Sequence, residues 1–284
     1  MLSERKHTIL QSLIQEYVIS AHPVASSTLA RYYVPRLSSA TVRNELSWLE
    51  DRGYVAQPHT SAGRLPTIAG YRTFVNSLLL QPQHYSTIVR RHSVHGATDT
   101  RFAQISSDYK SVSLPVMATL AAAADKLAHV HEALGSLAEH NKSLMVFWAP
   151  QLSTAVIHRG LPLLLSQPEF AESSAALPIM QLLESHGDLM TIFNEVMLTG
   201  GLHIKIGSEN KDSQLYEFSL VAMRFDCAHL GGAFASNKVS AAGESNSFGV
   251  VALFGPTRMD YGWAISSITS LVQDLENPSP QQRG

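Results

Sequence analysis

SSATVRNELSWLEDRGYVAQPHTSAGR, residues Ser38 to Arg64, is the stretch from which the fold of this chain is read. Ser38 can accept from the free N–H groups of a first helical turn, so it is an N-cap candidate, and Val42, Leu46 and Leu49 then fall on one face. That apolar face packs inward. Thr41, Arg43, Asn44 and Ser47 lie off it and present a methyl, a bidentate fork, an amide and a hydroxyl, the groups that read base edges and phosphates. Ser39 lies beside the cap. Gly53 is placed to end the helix in a left-handed conformation, Tyr54 to Gln57 then reads as a short strand, and Pro58 to Gly63 as a hairpin tip. The tip is polar. His59, Thr60 and Ser61 can donate to phosphates, with Gly63 and Arg64 where the chain turns back into Leu65. An amphipathic helix or a Gly-containing hairpin alone is commonplace. The order of a helix pair, a capped helix, a strand and a basic polar hairpin is much rarer, and it implies a winged helix-turn-helix that binds nucleic acid.

Upstream, Ser3 to Ile19 carries Ile9, Leu10, Leu13, Ile14, Tyr17 and Val18 at helical spacing and reads as the scaffold helix. His22-Pro23 breaks it. Ser26 or Ser27 restarts a short helix to about Tyr33, and Val34-Pro35 makes the turn before the reading helix. Ser26 is either a phosphate donor or a simple cap. Both roles stay open.

The run LSERKHTILQSLIQEYV, then PVASSTLARYYV, then LSSATVRNELSWLEDRGYVAQPHTSAGRLPTIAGYR closely resembles the heat-inducible transcription repressor family HrcA of bacteria. QPHTSAGR followed by P-T-x-x-G-Y-R carries most of that likeness. GLPLLLSQPEF at Gly160 to Phe170 and GVVALFGPTRMDY at Gly249 to Tyr261 resemble the family's C-terminal region. The resemblance implies a repressor of chaperone operons that binds an inverted-repeat operator on double-stranded DNA as a homodimer. It also implies activity assisted by the chaperonin GroEL and lost on heat stress, and a body similar to GAF domains. One departure stands out. The family carries a dimerising subdomain between the strand at Ser143 to Pro150 and GLPLLLSQPEF, whereas here only Gln151 to Arg159 connects the two, so a shortened member with a reduced sheet is expected.

Length and composition fit two domains. The 284 residues are enough for about two cores of ordinary size, and 45% hydrophobic residues can fill them. No apolar run reaches the roughly eighteen residues of a membrane span, and the start is charged and amphipathic, so a cytoplasmic protein without a membrane association is expected. The single cysteine, Cys227, excludes an internal disulfide. Residues 1–72 hold eight Lys and Arg against five Asp and Glu, and 73–284 hold thirteen against eighteen, which restores the net −2. A mildly basic head sits on an acidic body.

Domain boundaries are expected at 1–80 for the winged domain, 81–113 for a linker with short helices and 114–284 for the body. Thr67 to Leu80 reads as a helix whose Tyr71, Phe74, Val75 and Leu78 dock on the head or on a second copy. His84 to Ser113 is polar. Leu114 to His140 reads as a long helix with an Ala-rich face at Ala121 to Ala124, a second dimer candidate. Ser143 to Trp148 reads as a strand and Leu177 to Leu198 as a helix. Leu202 to Ile206, Leu215 to Phe225 and Phe248 to Phe254 follow as strands, and Met259 to Leu275 as the last helix. This pattern is an α+β body around an antiparallel sheet. Ser236 to Ser247 reads as a loop.

His92, His95, His129, His131 and His140 show no ligand spacing, so no metal and no cofactor are expected. Thr257 and Asp260 have capping-box spacing. Arg258 and Tyr261 are left over and could bridge body to head. Beside the repressor reading stand two others, a metabolite-responsive regulator with a ligand-binding GAF-like body and an enzyme. No Ser-His-acid set or carboxylate pair assembles for the last.

Overall fold

The computed structural model describes residues 2–80, 123–149, 156–226 and 248–276, with backbone alone for 123–129. The linker 84–113, the start of the helix read from Leu114, the loop 236–247 and Cys227 lie outside these residues. The chain divides into two compact units, Met1–Ser113 and Leu114–Gly284.

The first unit is three helices, a hairpin and a fourth helix. Helix α1, Glu4–Ser20, buries Ile9, Leu10, Leu13 and Ile14. It stops at Ala21 in the left-handed region, where the Ala21 N–H reaches the Tyr17 carbonyl, two residues before Pro23, which cannot continue a helix. Helix α2, Ser26–Thr28, runs on into a widened π turn over Leu29–Tyr33. The Tyr33 hydroxyl donates to Glu16 at 2.7 Å, fastening that turn to α1, and burial together with this carboxylate pushes the phenol above its usual range. Helix α3, Ser39–Asp51, buries Val42, Leu46 and Leu49, each fully enclosed and each contributing about 1.5–3 kcal/mol. On its α1 side Glu45 pairs with Arg5 at 3.1 Å and Lys6 at 3.0 Å, and Lys6 and Arg52 both lie over the Trp48 ring.

Gly53, at φ 75°, turns the chain out of α3 into strand β1, Val55–Ala56, which pairs antiparallel with β2, Leu65–Pro66. Strand β1 is shorter than the Tyr54 to Gln57 of the sequence reading. Helix α4, Ile68–Leu80, follows at once, and the P-T-x-x-G-Y-R motif is its docking apparatus. Thr67 Oγ1 donates to the Gly53 carbonyl at 2.6 Å and accepts from the Gly70 N–H at 3.1 Å. A Cβ on Gly70 would lie 2.2 Å from the Tyr54 carbonyl oxygen, so only glycine lets α4 come this close. Tyr71, Phe74, Val75 and Leu78 are buried within the chain, the first of the two alternatives read for this face.

The second unit is α+β with a five-stranded antiparallel sheet. Helix α5, Ala123–Asn141, leads into β3, Leu144–Trp148; then come β4, Ile157–Arg159, and the short α6, Leu161–Leu165. Helices α7, Ser173–Glu184, and α8, His186–Thr199, precede β5, Leu202–Ile206, β6, Phe218–Asp226, β7, Phe248–Pro256, and α9, Tyr261–Glu276. Sheet order is β4-β3-β7-β6-β5. Strand alternation sends Leu144, Val146, Leu220, Ala222, Ala252 and Phe254 to one face, where they meet Leu164, Ile179, Phe193 and Val196 of α6, α7 and α8. The opposite face carries Phe147 and Phe225, stacked at 5.4 Å, and Gly249 leaves the room that the Phe225 ring occupies. Helix α9 covers that face.

Three readings of the body change. The single helix over Leu177 to Leu198 is two, because Ser185 accepts from the Asp188 N–H and caps a fresh start. Gln151 to Arg159 is more than a connector, since its last three residues form β4 against β3. The strand expected from Leu215 begins at Phe218, because Ser213–Leu215 forms a tight turn held by Asp212, while the buried Asn210 amide donates to the Gly207, Leu215 and Phe218 carbonyls.

Gly70→Ala is expected to destabilise the first unit by about 1–3 kcal/mol, since the clash is with backbone that can yield only by shifting α4. Thermal unfolding of the full chain, followed through Trp48 fluorescence, checks this. An unchanged transition would contradict the close approach.

Candidate nucleic-acid interface

The N-terminus of α3 is built from serine and threonine. Ser38 Oγ accepts from the Thr41 N–H at 3.1 Å and lies 2.9 Å from Thr41 Oγ1, as the cap reading requires. Ser26 Oγ is 3.3 Å from Ser39 Oγ, so the start of α2 meets the start of α3. Four of the expected residues are thereby gathered at one place. Ser26 bonds a neighbouring hydroxyl rather than its own helix, and no side-chain cap is made at the start of α2.

Further along α3, Arg43 and Asn44 are exposed and Ser47 is half-buried. Helical spacing puts Arg43, Ser47 and Glu50 in one row, roughly 10 Å long at about 1.5 Å per residue. Arg43 and Arg36 make no ion pair among the described residues, unlike Arg5, Lys6 and Arg64. The hairpin lies against the far end of that row. Arg64 donates through Nε to Glu50 at 3.0 Å, places an Nη atom 2.9 Å from the same carboxylate and reaches Ser47 Oγ at 3.4 Å. With its side chain only 14% exposed, Arg64 fastens the hairpin to the helix.

Gly63 is likewise structural. The backbones of Val24 and Arg64 exchange both N–H···O bonds, at 2.8 and 2.9 Å, adding a third chain to the hairpin. A Cβ on Gly63 would sit 2.5 Å from the Val24 carbonyl, so this contact needs glycine. At the tip, His59, Thr60 and Ser61 are exposed, as read from sequence. Gln57 was missed. Its amide donates to the Thr60 carbonyl at 3.0 Å and the Ala62 carbonyl at 2.8 Å, holding the tip in one shape. Glu50 was missed too, although an acid in register with Arg43 and Ser47 on the polar side of α3 was a signal available in the sequence.

Arg258 and Tyr261 belong to the second unit's own packing. Arg258 pairs through Nε with Glu169, and its Nη2 donates to Glu169 at 3.2 Å and to Gln167 at 2.8 Å. The Tyr261 ring is fully buried, with its hydroxyl 2.7 Å from Ser219 Oγ and donating to the Thr257 carbonyl at 2.8 Å. These contacts join GPTRMDY to SQPEF and to β6. The cap of α9 is Asp260 itself, which accepts from the Trp263 N–H at 3.0 Å, in place of the box with Thr257.

The profile described as the HrcA protein C terminal domain matches residues 105–265, more than half of the chain. The chain belongs to the HrcA family. The heat-inducible transcription repressor HrcA of Acetivibrio thermocellus is 42% identical over 151 residues, which span 51% of this chain and 42% of that relative. HrcA of Brevibacillus brevis is 27% identical over 350 aligned positions covering 97% of both chains. Those positions outnumber the 284 residues here, so that HrcA carries stretches with no counterpart in this one. A crystal structure described as a hypothetical protein shares the fold, with a TM-score of 0.67 at 17% identity and coverage of 97% of this chain and 98% of that one. No helix among the described residues is long and apolar enough to cross a membrane.

Replacing Arg258 by Met is expected to lower the stability of the second unit by about 1.5–3 kcal/mol, the worth of charge-assisted bonds to Glu169 and Gln167. Urea unfolding measured at Trp148 and Trp263 reads the loss. Full stability in the variant would return Arg258 to the list of residues with a task elsewhere.

Proposed function

We propose that this HrcA-family chain is a sequence-specific transcriptional repressor of chaperone operons. Its first unit acts as a winged helix-turn-helix in which α3 enters the major groove and the hairpin is the wing. The observation that carries the reading is the state of Arg43 and Asn44. Both are exposed on the polar side of α3, and Arg43 makes no ion pair among the described residues, whereas Arg5, Lys6 and Arg64 are tied to Glu45 or Glu50. Thr41, Arg43 and Asn44 read bases, the hydroxyls of Ser26, Ser38 and Ser39 meet phosphate at the start of α3, and His59, Thr60 and Ser61 meet it from the wing.

The operator is an inverted repeat and the working species a homodimer, because one recognition helix covers only a few base pairs and two-fold symmetry places a second in the next half-site. The body is a reduced GAF-like regulatory and dimerisation unit in a cytoplasmic protein. Heat acts through folding: stability of a few kcal/mol leaves the folded fraction sensitive to temperature, GroEL recovers folded repressor, and misfolded clients compete for it. The relatives named above, heat-inducible transcription repressors, support this reading.

Arg43→Ala is expected to weaken operator binding by roughly 1–3 kcal/mol and to relax base preference, since a bidentate fork is lost. Fluorescence anisotropy on operator and single-base variants measures both effects. Unchanged affinity in a folded variant would overturn the placement of α3. Sedimentation of the same complexes must give two chains per repeat, and a one-to-one complex on the full repeat would defeat the dimer.

A further inference from the structure

Arg64 and Glu50 raise a question that the DNA-binding reading does not answer by itself. An acid on the DNA-facing row of a recognition helix repels phosphate, yet Glu50 lies in register with Arg43 and Ser47, with its side chain 31% exposed. Its partner is the residue at the foot of the wing. That foot is rigid: the Arg64 backbone is bonded in both directions to Val24, Gly63 is pressed on the same segment, and the Gln57 amide fixes the tip from Thr60 to Ala62. Among the described residues, the polar contact between this rigid hairpin and the polar row of α3 is the one from Arg64 to Glu50 and Ser47.

We propose that Glu50 is a positioning residue for specificity: through Arg64 it sets the distance and angle between the base-reading side chains of α3 and the phosphate-binding tip of the wing. The inference rests on the DNA-binding reading above. Glu50 touches no base. With the pair intact, the two contact regions meet the duplex in one fixed spacing, so a site that satisfies Arg43 and Asn44 also satisfies His59 to Ser61. Without it, the wing samples other positions, and only contacts indifferent to sequence survive.

The sign of one substitution decides the matter. Glu50→Gln removes a negative charge beside a polyanion, and by charge alone it should strengthen binding to every duplex. Positioning predicts the opposite for the operator. With full-length protein, the probes are an inverted-repeat duplex recovered by selection from a random pool and a scrambled duplex of equal length and composition. Glu50→Gln is expected to lose about tenfold on the selected duplex while holding or gaining on the scrambled one, a loss of the size expected for coupled contacts. Ser61→Ala, which weakens the parent on the selected duplex, should cost little more in the Glu50→Gln background.

Equal or tighter binding of Glu50→Gln to the selected duplex overturns the proposal and makes Arg64 a phosphate ligand that Glu50 restrains. Parallel losses on both duplexes with a lowered Tm overturn it in favour of a purely structural pair. A parent protein that selects no sequence from the pool defeats the DNA-binding reading, and this inference with it.

Discussion

Arg64 holds the first unit in one shape. Its backbone completes the hairpin against Val24, its guanidinium fastens that hairpin to Glu50 and Ser47 of α3, and the neighbouring Gly63 and Leu65 lead directly into both contacts. Three pieces of chain meet at this one residue: the segment after α1, helix α3 and the hairpin that leads to α4. A hydrogen bond to a charged group contributes about 1.5–3 kcal/mol, small beside the burial of Val42, Leu46 and Leu49, but apolar burial is indifferent to direction. The core makes the unit fold, and the Arg64 contacts fix where the hairpin stands.

The second unit uses the same device. Arg258, at the corner between β7 and α9, grips Glu169 and Gln167, while Gln167 donates to the Lys142 carbonyl and Gly160 packs against Ser143 where a side chain would not fit. The two stretches that carry the family likeness in this half are thus one structural feature. Phe170 stacked on Phe218 at 4.7 Å continues it into the core. Such motifs record how the sheet corners are closed, and their specificity as family markers does not make them binding residues.

Sequence reasoning reached α3 almost intact because its signals are local: a Ser cap, a 3.6-residue apolar stripe and a glycine stop all lie within sixteen residues of one another. Strands β3, β6 and β7 were visible as apolar runs for the same reason. What escaped depends on partners far along the chain. Arg64 reads as a free cation until Glu50 is seen beside it, and Tyr261 is left unassigned until Ser219 meets its hydroxyl. Strand β4 is three residues with two exposed side chains, too short to show alternation, and it exists because β3 offers an edge. The break at Ser185 lies in the polar run Glu184 to Asp188, where the Ser cap was a local signal that the reading passed over. Arg43, Asn44 and the tip residues His59, Thr60 and Ser61 are exposed.

The basic charge lies in residues 1–72 and the acidic charge in the remainder, which suits the proposed reader in the first unit. The most direct test is a genome-wide footprint of the protein in growing cells, taken before and after heat. The account predicts a small set of protected inverted repeats in front of chaperone operons, lost within minutes of heating. Protection spread without sequence preference, or a specific set unaltered by heat, would contradict it.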